Sequence, residues 1–461
     1  MNSFNNYYLK KFYIHNIDFF FITALIYTVF SCLLLFIDNN HRLFASTDPY
    51  DYINSAKSFL YCGGFAYIDE NCLPKIWNTP GYPLFLTAFM IFFGEHYLTA
   101  VVFSQTILLL LTGFIYSSIL KKYNLICSKL VFVIILFNPN SFFTAQLIQT
   151  ETLFTFLLSL GVWTVYSNRG IWSFIIAGVI SSFCAYVRPA FFYFTFISPL
   201  IFFLIALKKY NIKIKTSIIY ALLAFLIILV LNGYWLHRNH EFFGQHTFAA
   251  NAGRVAWDNI LELTKHTTKN YEIVFARYEK IFSNIIMISP EYKRNQTPES
   301  SKILMSEGIK ELQNFKFNEI LYGGLSSMVN LFFSGGGSNI ERLISGKDYN
   351  AKSLNNLFYE KLHIETLNLN YGLIWHLVAI FIASILRVFG IIGLLTLICK
   401  KKYGLLSISI FPILYLTPLY GFIGQSRFRV PLEPSLALLS VFGIVTTYLF
   451  INKLYFDKPN F

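Results

Sequence analysis

Long apolar runs dominate the chain. A bilayer core of about 30 Å takes roughly 20 apolar residues of helix. Runs that approach or reach that length fall at 19–37, 80–94, 97–119, 129–146, 148–167, 171–187, 189–207, 216–236, 376–397, 404–422 and 431–452. The pattern predicts an all-α polytopic membrane protein, a transmembrane helix bundle of about 10–12 spans with extracytoplasmic loops. Two polar stretches interrupt it, 38–79 and 237–375. The chain thus divides into an N-terminal membrane module (1–236) with its first outer loop at 38–79, a polar segment (237–375), and C-terminal transmembrane helices (376–461). Inside the polar segment, 317–335 is apolar but short and ends in "SGGGSN", so it reads as an interfacial helix or a further span. The first run, "FFFITALIYTVFSCLLLFID", has spanning length and no small-x-small cleavage site after it, so it reads as an anchor.

Composition agrees. Charged residues make up 13% of the chain and apolar ones 55%, where soluble domains carry roughly 25% charged. The net charge of +13 sits in clusters beside apolar runs: Lys10–Lys11, Lys121–Lys122, Lys208–Lys215 and Lys400–Lys402. That is the positive-inside pattern. It is not the basic face of a soluble nucleic-acid binder, and nucleic acid is excluded as a partner. Placing every cluster inside requires 38–79 to lie outside and 80–94 to fall short of a full crossing. Both large polar segments then face the outer side. Cys62 and Cys72 share the first of them, where an oxidising compartment would let them pair. Cys32, Cys127, Cys184 and Cys399 lie in or beside apolar runs and read as packing residues.

Ionisable groups in membrane segments are functional candidates by default. Glu151 in "LIQTETLF" and Arg188 in "AYVRPAFF" are expected together at the outer face, whereas Arg387 in "ILRVFG" reads as a structural ion pair. Asp48 and Asp51 in "STDPYDYINSA" stand just past the first span, with Tyr52 beside them. In "PKIWNTPGYP", Pro80, Gly81 and Pro83 bend the chain into the next helix and Tyr82 supplies an interfacial ring. In "GQSRFRVPLEP", Arg427 and Arg429 would point the same way on an extended strand. Such pairs suit phosphate, because a guanidinium binds two oxygens at once; a lipid-headgroup anchor has the same spacing. His237, His240, His246 and His266 crowd the second polar segment without the carboxylate or Cys spacing of a metal site, and read as surface or hydrogen-bonding residues. No phosphate-cradling glycine motif of a nucleotide site is present.

Taken in order, "DYINSAKSFLYCGGFAY", "TPGYPLFLTAFMIFFG", "QTETLFTFLL", "AYVRP", "GYWLHRNHEFFGQHTFAANAG" and "GQSRFRVPLEPSLALLSVFG" resemble the polytopic GT-C glycosyltransferases. More narrowly, they are similar to the bacterial branch related to protein O-mannosyltransferases and the lipid A aminoarabinose transferase. The resemblance covers about 15–452 and thins over 255–375. It implies an enzyme of the bacterial cytoplasmic (inner) membrane whose site faces outward. That enzyme would move a sugar with inversion from a polyprenyl-phosphate donor to an envelope lipid, glycan or protein acceptor. On this resemblance Asp48 is the general base and Asp51 its neighbouring acid. Lys75, Arg188, Arg238, Arg427 and Arg429 fall at basic positions that would hold the donor phosphate. Tyr52, Tyr82 and Glu151 would line the substrate cavity. Asn78 stands where the family often has Arg. A divalent metal is left open by the resemblance, and no ligand set for one is visible in the sequence. The chemistry is coherent: a carboxylate accepts the hydroxyl proton, and a phosphate leaving group needs cations rather than an acid. A retaining mechanism with Asp48 and Asp51 as a carboxylate pair is open on spacing. The competing class, a transporter or ligase of lipid-linked glycans, would want the same outer cations without Asp48, and a flippase would show inverted repeats, which the sequence lacks.

Overall fold

The computed structural model describes residues 2–43, 48–68, 71–167, 170–265, 267, 271–286, 297–346 and 371–456. His266 and the stretch 347–370 of the second polar segment lie outside the described residues. Helix is nearly the whole of what is described. The sheet found there is one hairpin, with Ala66–Tyr67 antiparallel to Leu73–Pro74 and Ala66 opposite Pro74. Among the described residues, five helical segments are long and apolar enough to cross a membrane: Gly81–Lys121, Pro189–Leu207, Ile214–Phe243, Leu377–Cys399 and Ser426–Asn452. Shorter apolar helices run Asp18–Leu34, Leu125–Leu136, Ile171–Val187 and Tyr403–Leu419. Helix is the local solution because lipid offers no partner to an open backbone N–H or C=O. Leu222, Val230, Phe381 and Ile391 stand outward on these helices, as lipid-facing positions should. The protein is an all-α, multi-pass membrane protein.

The structure breaks one expected span. The run 129–146 is not one helix. It stops at Leu136, and the Asn138 side chain caps a separate short helix, Pro139–Thr144, by accepting from the Ser141 N–H at 3.1 Å. Pro139 stands in its first turn, where its missing N–H is no loss. The next helix begins only at Glu151. The loop between is held by Gln105, whose side-chain amide donates to the carbonyls of Ala145 (3.0 Å) and Leu147 (2.8 Å). The 80–94 run gives the helix Gly81–Phe93, about 20 Å long at 1.5 Å per residue and short of a 30 Å core. It turns at Gly94 (φ +52°) into the helix Tyr97–Lys121.

The segments that carry three of the lysine clusters, 121–122, 208–215 and 400–402, come together. The Tyr123 and Tyr166 hydroxyls pair, and the Tyr210 hydroxyl donates to the carbonyls of Val165 (2.8 Å) and Tyr166 (2.6 Å). The Lys402 ammonium lies 5.8 Å from the centre of the Tyr123 ring. The two polar segments meet at a different place. Arg238 donates to the carbonyls of Lys75 (2.7 Å) and Phe65 (2.9 Å), and the Ala250 N–H donates to the Ile76 carbonyl (2.9 Å). In the second segment, the helices Ala252–Lys265 and Pro298–Leu312 close around Trp257, whose indole donates to the Leu304 carbonyl at 2.8 Å. The stretch 317–335 forms the helix Phe317–Phe333. It buries Gly323, Ser327 and Leu331 and turns Phe317, Leu321, Leu325 and Val329 outward. Cys62, just past the helix Asp48–Tyr61, and Cys72, in the turn of the hairpin, are bonded, with Cα atoms 5.6 Å apart.

Candidate active site

The helix Asp48–Tyr61 starts on Asp48, with Pro49 pre-set for its first turn. Its far partner comes from the other end of the sequence. After Leu419 the chain turns through Gly421 and Gly424, both at positive φ, into the 3-10 helix Ser426–Leu432. Arg427 Nη1 on that turn donates to Asp48 Oδ2 at 3.0 Å. The Asp48 side chain is 42% exposed and that of Arg427 24%. The pair is therefore reachable from outside.

A second pair stands beside it. Arg188, at the junction of two apolar helices, places Nη1 3.1 Å from Glu151 Oε1. The other Glu151 oxygen accepts from the Thr150 hydroxyl at 3.4 Å. The Arg188 guanidinium lies 5.8 Å from the Tyr420 ring centre and 5.5 Å from that of Phe428. Tyr420 and Phe428 stack at 4.8 Å. Tyr52 meets Tyr82 edge-on at 5.3 Å, and the Tyr82 hydroxyl donates to Gln105 Oε1 at 3.0 Å. Burial, with the Asp48 charge added to it, pushes the Tyr52 hydroxyl above the ordinary phenol range. Asp48, Arg427, Glu151, Arg188, Tyr52 and Tyr82 thus lie together in one cluster.

The structure does not bring Lys75, Arg238 and Arg429 to that point. Lys75 is buried, 1% exposed, with its ammonium 2.5 Å from Asp51 Oδ1 and 2.8 Å from the Ser55 hydroxyl. Asn78 donates to the other Asp51 oxygen. Asp51 and Lys75 therefore hold the first polar segment to its helix, and Asp51 has neither oxygen open. Arg238 donates its guanidinium to main-chain carbonyls of the hairpin and to Asn239. Arg429 bonds to Glu433 and to the Leu331 carbonyl (2.6 Å). The expectation that Arg427 and Arg429 point the same way assumed an extended strand. A 3-10 turn has three residues per turn, so i and i+2 diverge by about 120°. Arg387, read as structural, is structural: its Nη2 reaches both Glu433 oxygens at 3.0 and 2.8 Å.

Two further groups were not singled out from the sequence. Arg254 and Asp258 pair at 3.2 Å on the helix Ala252–Lys265. The next residue, Asn259, pins that helix to the turn before Arg427 by accepting from the Phe422 N–H at 2.7 Å. Burial raises the Asp258 carboxyl above its ordinary value against the pull of Arg254, and the Asp48 charge adds to the rise. The i, i+4 spacing was legible as a helical ion pair; its closeness to Asp48 was not. Among the described residues no three His, Cys, Asp or Glu side chains gather at one point.

Next to the cluster, an apolar groove runs between the helices Glu151–Ser167, Ile171–Val187, Phe192–Lys209 and Tyr403–Leu419. Leu158, Phe191, Phe194, Phe202, Phe411 and Pro412 line it. The Phe191 ring is 5.4 Å from that of Phe154, which in turn lies 5.8 Å from the Arg188 guanidinium. The groove therefore ends one aromatic ring away from a cation.

No known sequence family matches the chain, and no curated protein does. Solved structures do. The apo oligosaccharyltransferase of Archaeoglobus fulgidus matches with a TM-score of 0.49 at 13% identity, over 96% of this chain and 52% of that one. The archaeal oligosaccharyltransferase AglB from the same organism, in complex with an inhibitory peptide and a dolichol-phosphate, matches at 0.47 and 14%, over 98% and 53%. ArnT from Cupriavidus metallidurans, bound to undecaprenyl phosphate, matches at 0.39 and 12%, over 93% and 79%. The chain spans about half the length of the archaeal enzymes it matches.

Proposed function

We propose that the protein is an inverting glycosyltransferase that moves a sugar from a polyprenyl-phosphate donor to an acceptor hydroxyl on the outer side of the bacterial cytoplasmic membrane. One observation carries the reading: the reachable Asp48–Arg427 pair stands beside Glu151–Arg188, where an apolar groove ends. A prenyl chain fits an apolar groove between helices, and its phosphate then meets Arg188 and Arg427. A phosphate offers a guanidinium two oxygens, so its arrival competes with Asp48 for Arg427. Asp48 takes the acceptor's hydroxyl proton as the oxygen attacks the anomeric carbon. The bond from that carbon to the phosphate oxygen breaks, its electrons go to the phosphate, and Arg188 and Arg427 stabilise the charge that develops. A single displacement inverts the anomeric centre. Asp51 is the wrong partner for a double displacement, since Lys75 and Asn78 occupy its oxygens. The Cys62–Cys72 bond favours an oxidising, outer compartment for this loop.

The test is Asp48→Asn in purified protein reconstituted with radiolabelled polyprenyl-phosphate sugar and envelope extract as acceptor. Label transfer falls about 10²–10⁴-fold, and the thermal unfolding midpoint holds. Retained transfer in the folded variant removes Asp48 as base.

A further inference from the structure

On the segments that carry the two ion pairs lies a set of buried polar atoms that have no partner among the described residues. They are both amide atoms of Gln149, the Thr152 hydroxyl, the Tyr420 hydroxyl and Arg427 Nε. Gln149, Thr152 and Tyr420 are 2%, 2% and 4% exposed. A buried polar atom without a partner is rare and costs about 1–3 kcal/mol, and here five fall on four residues of the segments that carry the two ion pairs. Gln149 and Thr152 flank Glu151 in the chain. Tyr420 lies against Arg188, and Arg427 holds Asp48. The residues therefore belong to the segments that would surround the donor's anomeric carbon.

Their chemistry is selective. Gln149 Nε2 and Arg427 Nε can only donate, Gln149 Oε1 can only accept, and the two hydroxyls do either. A sugar hydroxyl also does both. An ammonium only donates, so an amino group facing Gln149 Nε2 or Arg427 Nε would leave that donor unmet and set its charge against the Arg427 guanidinium. A carboxylate only accepts, so one facing Gln149 Oε1 would leave that oxygen unmet. Each nearby acid already has its own arginine.

We infer that Gln149, Thr152 and Tyr420, with Arg427 Nε, form a sugar-binding subsite that selects a neutral, polyhydroxylated glycosyl group on the carrier over a cationic or anionic one. This rests on the donor reading above. A site built to hydrogen-bond hydroxyls rejects ligands that leave its buried groups unpaired.

The experiment is native mass spectrometry of the full chain in lipid nanodiscs. The probes are undecaprenyl phosphate, its glucosyl, mannosyl and galactosyl derivatives, and its 4-amino-4-deoxyarabinosyl derivative. At least one neutral derivative binds roughly tenfold or more tighter than the bare carrier, and the amino sugar gains nothing over the bare carrier. Gln149→Leu brings the ratio of neutral-sugar to bare-carrier affinity to about 1. Tyr420→Phe, which deletes one hydroxyl and is the safer variant for folding, lowers it severalfold. If the bare carrier binds but no neutral sugar improves on it, or the amino sugar binds best, the subsite is overturned and the donor reading stands. If neither the bare carrier nor any derivative binds, both fall.

Discussion

Arg427 and Arg429 sit two residues apart on one 3-10 turn and do opposite things. Arg429 runs inward to a closed knot. There the Glu433 carboxylate takes bonds from Arg429, from Arg387 and from Asn138 (3.1 Å), and main-chain carbonyls at Leu331 and Phe332 take further guanidinium N–H groups. Arg427 runs outward to one half-exposed acid and leaves Nε without a partner. The first arrangement ties the C-terminal helices to the short helix Pro139–Thr144 and leaves Glu433 no open oxygen. Each leaves one guanidinium nitrogen without a partner, Arg387 Nη1 in the knot and Arg427 Nε in the pair. What separates anchor from site is exposure: the knot's side chains are at most 7% exposed, whereas those of Arg427 and Asp48 are 24% and 42% exposed.

The largest effect belongs to the knot. Glu433→Gln leaves two buried guanidiniums without their counter-charge, which costs about 3–5 kcal/mol. Thermal unfolding in detergent should show a large drop or no folded protein; an unchanged midpoint would dissolve the contrast. Next, Arg427→Lys keeps the charge but loses the fork that spans phosphate oxygens. Transfer falls roughly tenfold, with little change in unfolding, because the half-exposed pair is worth at most about 1 kcal/mol. A midpoint that fell as far as for Glu433→Gln would make Arg427 another anchor. The smallest effect is at Asp258. Its carboxyl is held above 3.8, chiefly by burial, so it ionises less readily in the folded protein than in the unfolded chain. Stability is lost as pH rises above 3.8. Asp258→Asn should raise the midpoint slightly at pH 7 and leave it unchanged at pH 3. A drop at pH 7 would mean that the Arg254 pair outweighs burial.

Much of this was legible in the sequence. Apolar run lengths gave the helical membrane architecture. Charges out of place beside those runs gave Asp48, Glu151, Arg188 and Arg427, since a charge near lipid persists only with a reason. The break at Asn138 was present as "FNPN", an Asn cap followed by a first-turn proline, but hydropathy averaging hides a cap. Arg429, Lys75 and Arg238 are basic residues at suggestive positions whose partners lie 4, 24 and 163 residues away. Sequence gives the charge without its partner. Gln149, Thr152 and Tyr420 were missed for a related reason: lacking a partner is a property of three-dimensional surroundings and leaves no mark in spacing. Asp258 looked like half of an ordinary helical pair until Asn259 was seen to dock its helix beside the site.

The glycine that opens the helix Gly81–Phe93 links these regions mechanically. A side-chain carbon added at Gly81 would stand 2.5 Å from the Tyr186 carbonyl oxygen and 2.8 Å from the Val187 nitrogen, both main chain. Arg188 is the next residue. Gly81 therefore works as a feeler gauge between two helices: the bare backbone sets the gap, and any thicker residue widens it. The displacement would reach the arginine directly, so a single methyl at position 81, far from any reacting atom, should detune the whole cation cluster.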